Sequence, residues 1–331
     1  MRLNIDRMSE KHRSKIIRLD TNQILIANMS NSLQEQDLTK PVNCNGLGRI
    51  HHFRRKSTSP WPENPLPLDP ACKALGLPKT DLLEAQVFQC AACNFDCWYC
   101  FVPTNLMRAD IKHSEWCDSK LLIDLYLEQN ELPKIIDLSG GQPELVPEWV
   151  LWMMNEIRKR DLSSCIYLWS DDNLSTDFFW RFLTDSQRGT IENYSSYGRV
   201  GCFKGFDEQS FGFNTNMEQS LFQQQFKLMK KLLRTKIDIY AYVIFTTPTI
   251  DNIDRKIHEF IERLQELNEN LPLRTVPLEI KPFVPMIQRL DHIRKKALEY
   301  QYIVVRRWQE ELERRFPQEM RDKTISDIKL N

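Results

Sequence analysis

The chain has 331 residues, of which 41% are hydrophobic, and its 45 basic side chains cancel its 45 acidic ones. That length exceeds a typical single domain but suits one α/β barrel with extensions, and the apolar content supports a sizeable core and excludes wholesale disorder. The balanced charge excludes a global field that would recruit nucleic acid or an anionic membrane, while leaving room for a local patch.

At the N-terminus, Met1-Arg2-Leu3-Asn4 opens without the apolar region of a signal peptide, and apolar runs such as Tyr240 to Phe245 are too short to cross a bilayer. A soluble cytoplasmic protein with no membrane partner is expected. Residues 1–80 read as a partly irregular N-terminal extension. They hold Lys40-Pro41, Ser57 to Pro60 and the proline-rich run Trp61 to Pro70, where proline favours extended or turn structure over helix. A strand is expected at Gln23 to Ala27. Arg49-Ile50-His51-His52-Phe53-Arg54-Arg55-Lys56 is a basic cluster with aromatics interleaved, read as a solvated face or as a contact to phosphate or an acidic partner.

From residue 83, short strand-like runs alternate with amphipathic helices. Strands are predicted at 83–89, 134–138, 165–169, 198–204, 237–245 and 276–282. The clearest helix covers 252–267, where Ile253, Ile257, Phe260, Ile261, Leu264 and Leu267 recur at helical spacing. Phe222, Phe226, Met229 and Leu233 form a similar stripe, Pro147 suits a first helical turn, and a long helix is expected over about 290–315. Six β-then-α units imply parallel strands with right-handed crossovers, in a doubly wound sheet or a barrel. The expected class is α/β, a partial (β/α)6 TIM-like barrel spanning 81–285, with the N-terminal extension before it and a C-terminal helix and tail over 286–331. Reactive groups then belong at the C-terminal strand ends.

Nine cysteines, an odd number, argue against a disulfide framework. Cys44, Cys72, Cys117, Cys165 and Cys202 are scattered and read as small buried side chains. Cys90, Cys93, Cys97 and Cys100 crowd into the first βα loop. Cys93-x3-Cys97-x2-Cys100 offers three thiolates for three corners of a cubane, leaving the fourth iron open to a substrate or cofactor. Cys90-x2-Cys93 with Cys97-x2-Cys100 is the rival four-thiolate zinc reading, but only Asn94, Phe95 and Asp96 separate its pairs, fewer than structural zinc sites use. Cys90 is read as a spare thiol at the strand end.

Cys93-Asn94-Phe95-Asp96-Cys97-Trp98-Tyr99-Cys100 resembles the CxxxCxxC signature of the radical S-adenosylmethionine superfamily. Gly140-Gly141-Gln142-Pro143, after the second strand, resembles its GGEP motif, with glutamine in place of glutamate. Ser170-Asp171-Asp172-Asn173 closes the third strand, and Cys202-Phe203-Lys204-Gly205 the fourth. The last segment resembles the aspartate-x-lysine of glycyl-radical-enzyme activating enzymes, with Gly201 or Cys202 where those enzymes have aspartate. The resemblance covers about 83–285. It implies a [4Fe–4S] cluster on Cys93, Cys97 and Cys100, and S-adenosyl-L-methionine on the open iron, cleaved reductively to a 5′-deoxyadenosyl radical that abstracts hydrogen from a substrate. It also implies a one-electron reductant of flavodoxin or ferredoxin type.

Carried over by residue, Tyr99 lies beside the adenine, and Gly140 and Gly141 let backbone carbonyls approach the cofactor's ammonium group. Gln142 and Pro143 complete that loop, Ser170 and Asp172 meet the ribose hydroxyls, and Lys204 pairs with the cofactor carboxylate. The absence of a second cysteine cluster after residue 100 argues against twin-cluster, SPASM-type peptide-modifying enzymes. The substrate is open: a protein, a nucleotide or a small molecule. The rival class is a zinc- or iron–sulfur-bearing binding module without turnover.

Overall fold

The computed structural model describes residues 5–330, so Met1-Arg2-Leu3-Asn4, on which the signal-peptide reading rests, lies outside them. Among the described residues ten strands follow in chain order: β1 (Ile17–Arg18), β2 (Gln23–Ala27), β3 (Gly48–Arg54), β4 (Leu82–Gln89), β5 (Ser114–Asp118), β6 (Ile135–Ser139), β7 (Tyr167–Asp172), β8 (Tyr197–Phe203), β9 (Asp238–Ile244) and β10 (Thr275–Leu278). Seven of them form one curled half-barrel sheet in the order β10-β9-β8-β7-β6-β4-β3. Its six strands β4, β6, β7, β8, β9 and β10 are parallel, and β3 runs antiparallel to β4 at the edge. β1, β2 and β5 make a small antiparallel sheet. This mixed α/β architecture is consistent with a partial TIM-like barrel. No helix among the described residues is long and apolar enough to cross a membrane.

The pleat sorts side chains onto two faces. Ala85, Ile135, Tyr167, Trp169, Val200, Cys202, Tyr240 and Tyr242 share one apolar cluster on the inner face. Phe88, Ile136, Leu138, Leu168, Phe203 and Ala241 belong to the other, which packs beneath the helices. Both faces are covered, as a parallel sheet requires.

Several boundaries differ from expectation. β7 starts at Tyr167 and runs to Asp172, later than 165–169, and β10 stops at Leu278. Pro147 is the N-cap of the helix Glu148–Lys159, not a residue of its first turn. The N-terminal extension is more ordered than its prolines imply. Leu68–Leu75 is a helix inside the proline-rich run, with Pro67 at its N-cap and Pro70 in its first turn, where no intrahelical N–H bond is lost. Ile5–Ile16 is a helix whose buried stripe is Ile5, Ser9, Arg13 and Ile16. The two polar residues in that stripe hide its apolar period. Arg13 bonds Glu148 through its two terminal guanidinium nitrogens (2.8 and 2.5 Å) and Leu145 O through one of them (3.0 Å), docking this helix beneath the loop after β6.

Candidate functional site

The cysteine loop leaves the C-terminal end of β4 and is tied down from many directions. Cys93 N donates to Met107 O (3.1 Å), Asp96 N to Thr215 O (3.3 Å) and Trp98 N to Asn214 O (3.2 Å). Arg289 Nη1 reaches the carbonyl oxygens of Cys97 and Cys100, both at 3.3 Å. Buried Asn214 saturates its amide: Oδ1 accepts from Trp98 Nε1 (3.2 Å) and Thr246 Oγ1 (2.7 Å), and Nδ2 donates to Lys204 O (2.9 Å) and Thr246 O (3.0 Å). The loop is thereby joined to the ends of β8 and β9.

Cys93, Cys97 and Cys100 are half-buried neighbours whose thiols interact electrostatically with one another and with Lys204. Burial pushes Cys93 up to about 11, partly offset by Lys204, and pushes Cys97 and Cys100 upward as well. A bound iron reverses that preference, since a coordinating thiol is held deprotonated. Cys90 is fully buried and turned elsewhere, its Sγ toward the carbonyls of Ala92 (3.6 Å) and Gln142 (3.8 Å). Among the described residues, no three His, Cys, Asp or Glu side chains gather tightly enough to hold a single ion. A cubane presents separate iron corners, so its thiolates do not need to converge on one point.

The glycine loop after β6 is docked onto the cysteine loop. Gln142 N donates to Ala92 O (2.7 Å). Gly141 sits at φ 63° with its Cα facing the carbonyls of Cys90 and Ala92, where a Cβ would come within 2.4 Å of both oxygens. Gly140 is also left-handed and lies against Gln89. Pro143 opens the 3-10 turn that follows.

The glutamine in this motif has a local cause. Gln142 Nε2 donates to Asp172 Oδ1 (2.8 Å) and its Oε1 accepts from Asn173 N (2.9 Å). A glutamate there would set two carboxylates against each other. Asp172 Oδ2 in turn accepts from Arg199 Nη2 (2.6 Å), and Arg199 Nη1 lies 3.0 Å from Glu144 Oε1. All four side chains are buried beneath the helices, on the outer face.

That register separates the adjacent acids of β7. Ser170 and Asp172 share the outer face with Leu168, and Ser170 Oγ is bonded to Tyr197 Oη (2.7 Å). Neither reaches the inside of the half-barrel, where both were expected to meet a ribose. Asp171 faces inward with Trp169 and accepts from Ser139 Oγ (2.6 Å). Lys204 and Cys202 come from the next strand end. Burial works against the Lys204 ammonium, but the Cys202 and Cys97 thiols beside it outweigh that and hold its pKa above the usual lysine value. Tyr99 projects into the inner cluster, its buried hydroxyl directed at the Cys97 thiol.

The structure thus gathers Cys93, Cys97, Cys100, Tyr99 and Lys204 at one end of the inner face, with Gly140 and Gly141 docked behind the cysteine loop. Sequence reading missed Asp171, Ser139, Asp137 and Arg49, which the pleat turns inward; only the register of each strand identifies them. The residues present fit an iron–sulfur cluster with an organic cofactor: three thiols on one braced loop, a cation beside them and an aromatic ring against them.

No family model matches the chain, and no curated protein matches it. Among solved structures, SuiB of Streptococcus suis bound to S-adenosylmethionine is similar at 14% identity and a TM-score of 0.42, over 68% of this chain and 47% of that one. SuiB bound to the precursor peptide SuiA is similar at 14% identity and a TM-score of 0.37, over 54% and 36%. Histidine-tagged anSMEcpe with bound AdoMet is similar at 15% identity and a TM-score of 0.37, over 56% and 48%. This chain spans less than half the length of each.

Proposed function

We propose that this chain is a radical S-adenosylmethionine enzyme, with Cys93, Cys97 and Cys100 holding a [4Fe–4S] cluster. The carrying observation is that these three thiols, Lys204 and the Tyr99 ring lie together at one end of the half-barrel. When bound, the cluster and S-adenosylmethionine supply one-electron cleavage of a sulfonium, giving a 5′-deoxyadenosyl radical that takes a hydrogen atom from substrate.

The chain's own residues bind and orient. Lys204 carries its charge into a half-buried site, where it pairs with the cofactor carboxylate. Gly140 and Gly141 bring backbone carbonyls to the ammonium group, and Tyr99 flanks the adenine. Gln142 and Pro143 hold that loop from behind. Asp171 is the carboxylate we assign to the ribose, in place of Ser170 and Asp172. The ring floor of Tyr167, Trp169 and Tyr240 excludes water from below. A flavodoxin- or ferredoxin-type reductant supplies the electron. The likeness to activating enzymes of glycyl-radical enzymes rests on Lys204, since Cys202 brings a thiol where they have a carboxylate.

Anaerobic reconstitution with iron and sulfide tests the reading. Brown protein that releases 5′-deoxyadenosine when reduced with S-adenosylmethionine is expected. Colourless protein with one stoichiometric zinc overturns it.

A further inference from the structure

One row of inward-facing side chains is unused by the cofactor site. Arg49 pairs across the sheet with Val87, and Val87 with Asp137, so the three lie side by side on β3, β4 and β6. Paired residues share a face, and two strand spacings, about 10 Å, separate the Arg49 and Asp137 backbones. The short Val87 side chain lies between the two longer ones. Asp137 in turn pairs with Trp169, whose ring packs against Tyr167 (6.2 Å between centroids) and Tyr240 (5.7 Å). The polar row therefore ends on an aromatic wall.

Arg49 is 5% exposed and Asp137 4%, yet Arg49 Nε and Asp137 Oδ1 have no hydrogen-bond partner. Each senses the other's charge without forming an ion pair. Buried polar groups are rarely left this way, and a bound water, ion or ligand supplies the missing bond. One orphan is a donor, the other an acceptor. A carboxyl retains an accepting oxygen in either protonation state.

Hydrogen-bonding pattern narrows the ligand. Neither inward carboxyl is a fixed negative charge, since burial raises the pKa of Asp137 and of Asp171 above the ordinary carboxyl value. His51, the next inward residue on β3, is kept neutral by burial, which pushes it down to about 3. One orphan donor and one orphan acceptor are matched by a ligand that presents one of each and carries no charge of its own.

We propose that Arg49 and Asp137 hold the substrate, and that the substrate is an uncharged planar ring with a carbonyl beside an N–H, the edge a pyrimidine nucleobase presents. The carbonyl accepts from Arg49 Nε–H, the ring N–H donates to Asp137 Oδ1, and the ring face lies toward Trp169. This deepens the preceding reading by naming the substrate class of the same barrel, while the binding itself does not require the cluster.

Calorimetric titration of the purified full chain, before and after cluster reconstitution, tests it with uracil and 1,3-dimethyluracil, which keeps the ring and loses both N–H donors. Uracil is expected to bind, and 1,3-dimethyluracil at least tenfold more weakly. Arg49→Met and Asp137→Ala, checked for folding by circular dichroism, should each weaken uracil at least tenfold; the two-ring comparison on the unaltered chain stands without them. Equal affinity for both rings, no uracil binding up to its solubility limit, or unchanged affinity in a folded Arg49→Met protein overturns the proposal. Uracil binding without 5′-deoxyadenosine release overturns only the radical reading; release without uracil binding overturns only this assignment.

Discussion

Asn94, between Cys93 and Cys97, donates from Nδ2 to Ser9 Oγ of the N-terminal helix at 2.8 Å. The same amide donates to Ser175 Oγ (2.8 Å) and its Oδ1 accepts from Asn173 Nδ2 (2.9 Å). All four residues are buried, so helix Ile5–Ile16 braces the loop that carries the thiols. Asn94→Ala should cost about 2 kcal/mol in urea unfolding, because buried partners are left unsatisfied. Ser9→Ala should cost about 1 kcal/mol. Both variants should take up less iron on reconstitution than the parent.

Cys90 and Cys97 should separate cleanly. Cys97→Ala removes one of three clustered thiols and should abolish iron and sulfide incorporation, read from the visible spectrum and iron content. Cys90→Ala removes a thiol engaged with two carbonyls and should leave incorporation intact. Loss of iron in the Cys90 variant would show the ligand set to be wrong.

The adjacent acids of β7 should fail in different ways. Asp172→Asn weakens a buried ion pair with Arg199 and should lower stability by about 3 kcal/mol. Asp171→Asn keeps an acceptor for Ser139 Oγ and should change stability by less than about 1 kcal/mol, while S-adenosylmethionine affinity falls about tenfold through loss of a charge-assisted hydrogen bond. Denaturation and equilibrium dialysis on the reconstituted protein distinguish the two.

Glu144 gives the stability a pH dependence of known sign. Burial raises its pKa from 4.5 to about 7, against the opposing pull of Arg199. An acid whose folded pKa is raised holds its proton more tightly when folded, so its contribution is fully present below pH 4.5 and is lost as pH rises to about 7. Glu144→Gln cannot titrate and should flatten that fall. Unfolding free energies measured at half-unit steps between pH 4.5 and 7.5 check the slope, whatever the variant does to the absolute stability.

The spacing of the thiols, the glycine pair and the alternation of strands and helices along the chain are legible because each leaves a local mark in the sequence. The inward-facing residues are not. Asp171 and Asp172 are neighbours of the same chemistry, and the pleat alone decides which one faces the barrel. Arg49 sits in a basic stretch that reads as a solvated face or as a contact to phosphate or an acidic partner. Antiparallel pairing of β3 with β4 instead turns Arg49, His51 and Phe53 inward and leaves Ile50 and His52 outside. Helix Ile5–Ile16 escaped notice because its buried stripe includes Ser9 and Arg13, whose partners Asn94 and Glu148 are distant in the chain.

The anchors of the cysteine loop also set a schedule for its assembly. Ser9 leaves the ribosome before the thiols do, but Asn214 and Arg289 follow more than a hundred residues later. During synthesis the thiols are therefore exposed for many seconds, at about 5–20 residues per second, before the last brace arrives. Iron delivered in that interval would meet an unsupported loop, so the cluster proposed above is expected to load after release of the chain. On that reading the iron–sulfur donor acts on the finished fold.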